Sequence, residues 1–582
     1  MIHFRRNQRP FRNSGNRSGP VRSSLLIATF LLSTSSPAAP QDPQPVIKIQ
    51  VDYNVAEGRF PPVWSFFGYD EPNYTYTPNG KKLLGELAAL SRGPVYIRIH
   101  NLLTTGDGTA SLKWGSTNIY TEDAAGKPIY TWTIVDRIFD AFKESGVRPL
   151  VELGFMPQAL STRPEPYRHN FPNDPVGSIY TGWAYPPKDY QKWSEMIFQF
   201  VGHLRSRYGD AALQTWLWEV WNEPDIGYWQ GTPEEYFKIY DFSVDAVLRA
   251  FPEARIGGPD TTGVGSPKSA EFLRLFLEHC THQKNFASGK TGARLDFISF
   301  HPKGSPKWLN DHVQMGLDHQ LLAIQKGFQI VASQPEWRRV PIILGEWDPE
   351  GCAACSAQRN PQNAYRNGPL YAAYTAEALT RTLELANENH VSLEGVVNWT
   401  FEFEDQPPFA GFRELATNGI DKPVLNAFRM FGILAEERVS ASSSGALQIN
   451  EILTAGVRGP ADVNVIATRN KRELTILLWN YHDDDLPAPA SQIDLSIEGL
   501  PEDLSRALVE DFRVDERHSN SYAEWKSMGS PQTLDPLQQK KLQSAGQLQL
   551  LESPRWESVQ KGRLHLAINL PRPGLSAIRI VW

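Results

Sequence analysis

The sequence predicts a (β/α)8 TIM barrel with a C-terminal accessory β-sandwich, on three observations. Between about Trp64 and Trp399, short β-branched or apolar runs alternate with longer amphipathic stretches, and eight such units suggest a closed parallel barrel. Beyond about Glu437 that alternation stops, and strand-like runs separated by Gly, Pro, Asn and Asp take over. At 582 residues, the chain is also too long for one ordinary core.

Taken in order, the chain begins with Arg5, Arg6, Arg9, Arg12, Arg17 and Arg22, then the apolar run 25–32 (LLIATFLL) and the small residues Ser36-Pro37-Ala38. This is a signal-peptide pattern over residues 1–39, too short to span a bilayer, and it predicts export to the periplasm or the exterior. No later run is long and apolar enough to cross a membrane. Residues 40–63 carry the strand-like 46–51 (VIKIQV), expected to join the sandwich. The barrel is assigned to residues 64–436. Its strands are read at 95–99 (VYIRI), 150–153 (LVEL), 216–220 (WLWEV), 297–300 (FISF), 342–344 (IIL) and 395–398 (GVVN), with weaker candidates at 64–67 and 255–257. After the third of these runs, Thr232 as N-cap, Pro233 at the first position and Glu235 closing a capping box predict a helix, with Tyr236, Phe237, Tyr240, Val244 and Val247 at helical spacing. Residues 437–582 form the predicted sandwich, with strands at 463–467, 474–479, 493–497, 564–570 and 577–581. Residues 515–547 read as irregular, with one helix at about 536–544.

Hydrophobic residues at 41 % and charged residues at 21 % fit a globular protein, and a net charge of -7 leaves no basic footprint for nucleic acid. The 17 Trp suit either sugar-stacking platforms or a large barrel core. Cys280, Cys352 and Cys355 are too few for a disulfide framework, and a single C-x-x-C pair makes a poor zinc site. Cys352 and Cys355 are left as a local disulfide or as free thiols.

Barrel active sites lie at the C-terminal ends of the strands, and two acids stand there. Glu223 follows WLWEV in W-N-E-P, and Glu346 follows IIL in G-E-W. Hydrolysis of a glycoside with retention needs two carboxyl groups about 5–5.5 Å apart, one as nucleophile and one as acid/base. Asn222 can hold a sugar 2-hydroxyl or a carboxylate, and Pro224 ends the strand behind the acid.

These strings, with E-L-G-F-M-P (152–157), Tyr228-Trp229, Gly257-Gly258-Pro259, I-S-F-H (298–301) and the late segment F-R-V-D-E-R-H-S-N-S-Y (512–522), resemble glycoside hydrolase family 39, the family of β-xylosidases and α-L-iduronidases. The resemblance covers nearly the whole chain after the signal-like segment. It implies Glu223 as acid/base on strand four and Glu346 as nucleophile on strand seven, the first protonated at rest and the second ionised. Arg98 either holds Glu346 charged or forms a structural ion pair. His100 and His301 close strands two and six and are expected to contact sugar hydroxyls. No metal and no cofactor are expected. Trp399 ends strand eight as a floor under the sugar or as core. Glu402, Glu404 and Asp405 read as an acidic loop; Glu152 and Tyr228 match family positions as support or contact. Lys303, in H-P-K-G, sits where family members acting on iduronate place a lysine for the sugar carboxylate, and a solvated lysine is the other reading. The expected activity is that of an exported, exo-acting, β-xylosidase-like retaining hydrolase. An iduronidase-like uronidase using Lys303 is the alternative, as is a carbohydrate-binding barrel without catalysis, which the presence of both Glu223 and Glu346 disfavours. The expected partner is a glycoside or oligosaccharide; oligomeric state is not legible.

Overall fold

A computed structural model describes residues 45–169 and 179–582; the predicted signal peptide lies outside them. Eight strands run β1 Phe66–Tyr69, β2 Tyr96–Ile99, β3 Arg148–Leu153, β4 Leu217–Val220, β5 Arg255–Thr261, β6 Phe297–Phe300, β7 Ile342–Leu344 and β8 Leu393–Trp399. They close in sequence order into one barrel, and every neighbouring pair is parallel, including β8 with β1. The first strand is displaced from its predicted place. Val63 and Trp64 lie in a turn, and pairing starts at Phe66, where the backbone meets Tyr96 and Val397. Trp64 is buried by packing on Phe428 and Phe431 instead, so its apolar character reports a helix contact and not a strand.

The helix after β4 spans Pro233–Ala250 and carries the capping box read from Thr232 and Glu235. Its buried aromatic residues pack the barrel wall; Tyr236 donates its hydroxyl to the backbone oxygens of Val220 and Pro259, tying β4 to β5 at the ends that carry the site.

The C-terminal part, with the strand Ile47–Arg59, is one 10-stranded sheet. Ile47–Arg59 lies inside it, antiparallel to Glu437–Ser443 and parallel to Ser491–Glu498. Residues alternate buried and exposed along Ser491–Glu498 and Leu564–Leu570, the signature of a sheet with one covered face. The covered faces of the two halves share a single core, with Leu495, Ile497 and Leu566 from one and Leu474, Ile476, Ile578 and Ile580 from the other. Four strands of the sheet are absent from the sequence reading: Glu437–Ser443 and Arg506–Val514, where Ser, Arg, Glu and Asp at outward positions mask the apolar alternation, and the short Gln549–Leu550 and Arg555–Ser558, which carry too few apolar residues to show one. The predicted helix is found at Pro536–Ala545, and a second, Ser521–Ser527, precedes it. The sheet is bonded to the barrel helix Pro369–Glu388: Arg381 donates to Asp462 at 2.6 Å, and the Trp479 indole donates to Glu377.

Candidate active site

The wall of the barrel below its mouth is charged. Arg98 on β2 is fully buried and contacts Glu152 on β3 (2.8 Å), Glu219 on β4 (2.7 Å) and Asp260 on β5. A buried charge persists only where it is paired, so the arginine and its acids stand or fall together. Burial and the neighbouring Asp260 push the Glu219 carboxyl up to about 8 despite Arg98, so Glu219 carries a proton at neutral pH. Arg98 lies 3.8 Å from Glu346. Both readings of this residue therefore have a basis, with the structural ion pairs much the shorter contacts.

Above this layer the chain turns sharply. Trp221 and Glu223 have φ of 72° and 44°, and Asp260 has φ of 55°, a left-handed conformation rare outside glycine. The turn is held by Glu223 N–H donating to the Asp260 carbonyl (2.9 Å) and the Trp221 indole donating to the Tyr228 carbonyl (2.9 Å). Asn222 accepts from Arg98 at 3.2 Å, which commits its oxygen and leaves the amide N–H groups to offer. On β7, Gly345 must be glycine: a Cβ there would lie 1.9 Å from Asp260 Oδ1.

These constraints bring Glu223 and Glu346 together from opposite walls. One oxygen of each carboxyl, with His301 Nδ1, lies within 4.8 Å of the others. His301 spans the gap. Its Nδ1–H donates to Glu223 Oε1 at 3.0 Å, and its Nε2 stands 2.6 Å from Asp260. Burial alone would lower the imidazole, but Asp260 and Glu346 outweigh it and push His301 up to about 10, a cation at neutral pH. Glu346 Oε2 accepts from Lys303 Nζ at 2.6 Å, and its Oε1 lies 3.3 Å from His100 Nε2. Burial would raise the Glu346 carboxyl; Lys303, His301 and His100 instead hold it well below the usual carboxylate range. It is an ionised, partly shielded carboxylate facing the acid on β4.

Lys303 is neither solvated nor unpaired. It also donates to Asp348 at 2.6 Å, and Arg413 backs Asp348 at 3.4 Å. His100 is held through Nδ1 by Glu152 at 2.6 Å and is buried, with its ring 4.2 Å from that of Trp399. Trp399 itself is 1 % exposed, and its indole donates to Asp70 at 3.1 Å. Tyr228 stacks on Phe155 with ring centres 5.8 Å apart. Glu223, Glu346, His100, Asn222, Tyr228, His301, Lys303 and Trp399 thus cluster at the mouth or just beneath it. Several others were not assigned there: Asp70, Lys113, Asp260 and Asp348. Lys113 pairs with Asp70 at 2.7 Å and, like Asp70, is buried. Asp348 was readable as the second acid of G-E-W-D, two places past Glu346; Asp70 and Lys113 come from loops with no motif. The acids after β8 serve the loop: Glu402 accepts from Gly419 N–H (2.5 Å), and Glu404 accepts from Thr77 (2.6 Å) and Asn79 (3.3 Å).

Glu223, His301 and Glu346 offer three donor atoms within metal-binding distance, a trio that sequence spacing does not reveal. Their surroundings oppose a divalent ion, because Lys303 occupies one oxygen of Glu346 and His301 is itself protonated.

Cys352 and Cys355 are disulfide-bonded, and Cys280 is a buried free thiol. Arg366 donates to the carbonyls of both bonded cysteines at 2.6 Å. The disulfide therefore staples a loop that an arginine already clamps. Replacing both cysteines by serine is expected to lower stability by at most about 2 kcal/mol, the value for so short a loop, with activity per folded molecule unchanged. Thermal unfolding alongside active-site titration measures both; loss of activity on reduction without unfolding would overturn it.

A family model described as "Glycosyl hydrolases family 39" matches residues 47–561. The β-xylosidase of Geobacillus stearothermophilus is 28 % identical over 505 residues, covering 83 % of this chain and 86 % of that protein. The α-L-iduronidase of Canis lupus familiaris is 25 % identical over 493 residues, covering 79 % of this chain and 68 % of its own. Among solved structures, a monomeric β-xylosidase from Caulobacter crescentus CB15 superimposes with a TM-score of 0.71 at 22 % identity, over 92 % of this chain and 99 % of that one. Within the described residues no helix is long and apolar enough to cross a membrane. With the family model spanning the barrel and eight of the ten strands of the sheet, this chain belongs to glycosyl hydrolases family 39.

Proposed function

We propose that the protein is a retaining, exo-acting, β-xylosidase-like hydrolase of neutral glycosides. In this reading Glu346 attacks the anomeric carbon and Glu223 protonates the departing oxygen, then deprotonates the water that releases the sugar. The observation that carries it is the facing pair of carboxyl oxygens within 4.8 Å. That suits direct attack, since an inverting pair stands about 6.5–9.5 Å apart to admit a water. His301 and Asn222 border the acid, and Lys303, His100 and Arg98 keep the nucleophile ionised. The neutral glycone is supported by the β-xylosidase relatives at 28 % identity. It is also supported by charge pairing at the mouth: Lys113, Lys303 and His301 each already face a carboxylate. The test is a comparison of kcat/KM on an aryl β-xyloside and an aryl uronide; a clear preference for the uronide would overturn the neutral reading. Export is proposed from the N-terminal segment, and the mature N-terminus of protein recovered outside the cytoplasm would test it.

One observation favours a second reading, a uronidase: the Lys303 ammonium stands 2.6 Å from Glu346, so a sugar held at that carboxylate would lie beside a cation. Lys303→Met separates the two. On the neutral reading, kcat/KM falls by a similar factor on both substrates, because Glu346 loses its nearest counter-ion. Its carboxyl then rises, and the acidic limb of kcat/KM moves to higher pH. If Lys303 also binds a substrate carboxylate, the uronide loses a further ten- to hundredfold or so, the equivalent of about 1.5–3 kcal/mol for a charge-assisted hydrogen bond.

A further inference from the structure

Lys113 ties the loop after β2 to the loop after β1. Its ammonium donates to Asp70 Oδ1 at 2.7 Å, and its backbone N–H donates to Glu71. Beside it Asn73 bonds Ser116 twice, donating to the carbonyl and accepting from the N–H, each at 2.9 Å. Lys113 has φ of 63°, a left-handed conformation that persists where its surroundings hold it, as these bonds do. One imidazole joins the pair to the nucleophile: His100 Nε2 stands 3.6 Å from Asp70 Oδ1 and 3.3 Å from Glu346 Oε1. Burial would lower the Lys113 ammonium; Asp70 and Glu346 are among the neighbours that outweigh it and keep it charged. The pair is buried but not used up. An ammonium has three N–H groups to give, and among the described residues Asp70 is the only acceptor that Lys113 Nζ has. A carboxylate offers about four lone-pair sites, and Asp70 spends them on Lys113 and the Trp399 indole alone.

We propose that Asp70 and Lys113 are the specificity-determining pair for the glycone, holding two adjacent hydroxyls on the edge of the ring remote from the anomeric carbon. One hydroxyl accepts from Lys113, and its neighbour donates to Asp70. The inference rests on the retaining-glycosidase reading above and deepens it. With the anomeric carbon at Glu346 and Asn222 on the side of the acid, the far edge, carbons 3 and 4 of a pentopyranose, faces the pair past His100. The two charges balance one another, so the pair suits an uncharged diol, and Asp70 stands against a carboxylate placed there.

The test compares kcat/KM on an aryl β-xyloside with that on its 3-deoxy and 4-deoxy analogues, for the unmodified chain and for Lys113→Met and Lys113→Arg. A site built to bond a hydroxyl rejects the analogue that lacks it. The unmodified chain is expected to lose about ten- to a hundredfold on at least one deoxy analogue, the range for a hydrogen bond to a charged group. In Lys113→Met the parent falls and the deoxy analogue does not fall further, so the ratio closes toward one; Lys113→Arg, which keeps charge and donors, restores part of it. A pair that serves only to balance charge behind His100 lowers all three substrates alike, and an unchanged ratio in Lys113→Met overturns the proposal. So does the absence of any deoxy penalty in the unmodified chain, a result that needs no variant to fold. If the unmodified chain hydrolyses no xyloside, the fault lies with the activity, and calorimetric binding of D-xylose against its 3- and 4-deoxy forms judges the pair by the same ratios.

Discussion

Glu346→Ala is expected to lower kcat on an aryl glycoside by on the order of 10,000-fold or more, as removal of a covalent nucleophile does elsewhere. Azide is expected to restore turnover in part. The substitution opens a space the size of a carboxylate, flanked by Lys303 and His100, and a small anion entering it meets the charges that held Glu346 at 2.6 and 3.3 Å. Azide then attacks the anomeric carbon from the face Glu346 used, and the single displacement gives a glycosyl azide of inverted configuration. Product configuration is read by NMR. Near-normal hydrolysis of an unactivated glycoside by this variant would remove Glu346 from the role.

Glu223→Ala is expected to lose about 100- to 10,000-fold on substrates with poor leaving groups, the range of a positioned general acid, and far less on activated aryl glycosides that need no proton. Here azide meets the glycosyl–enzyme ester after Glu346 has already reacted, so two displacements give an azide of retained configuration. The two variants therefore yield opposite anomers from one substrate, which assigns the roles independently of rate. A uniform loss across leaving groups would mean that Glu223 positions the sugar and does not protonate it.

The barrel was legible because each strand is a short apolar run set between longer amphipathic helices, and β6 and β7 fall on their predicted residues. The displaced β1 shows the limit: Trp64 and Phe66 look alike as apolar residues, and only pairing with Tyr96 and Val397 separates strand from turn. In the site, Glu223 and Glu346 were visible through the strings that hold them, W-N-E-P and G-E-W, because a single acid after a strand is as a rule solvated surface. The charged layer beneath was not. Arg98, Glu219 and Asp260 come from three strands, and their mutual neutralisation is a property of barrel closure that no local spacing encodes. Lys303 was visible as a residue but not as a partner of Glu346, because its reach across to β7 depends on the path of the loop after β6.

The place of Ile47–Arg59 inside the sheet has a consequence for biosynthesis. Lys48 N–H is bonded to the hydroxyl of Ser444, 396 positions away, and the strand's other edge waits for Ser491–Glu498. A strand made before the barrel therefore keeps both edges bare until Glu437–Ser443 and Ser491–Glu498 have emerged, with the whole barrel sequence lying between it and those partners. Pairing over such a separation is slow, and an unpaired edge is open to other chains meanwhile. The polar run Asp52–Tyr53–Asn54 and the charged Glu57 and Arg59 along this strand make it a poor template for such encounters. A chain stopped before residue 437 would keep every barrel strand yet carry this ribbon unpaired permanently, and the polar and charged residues along it would then be its standing guard against pairing with other chains.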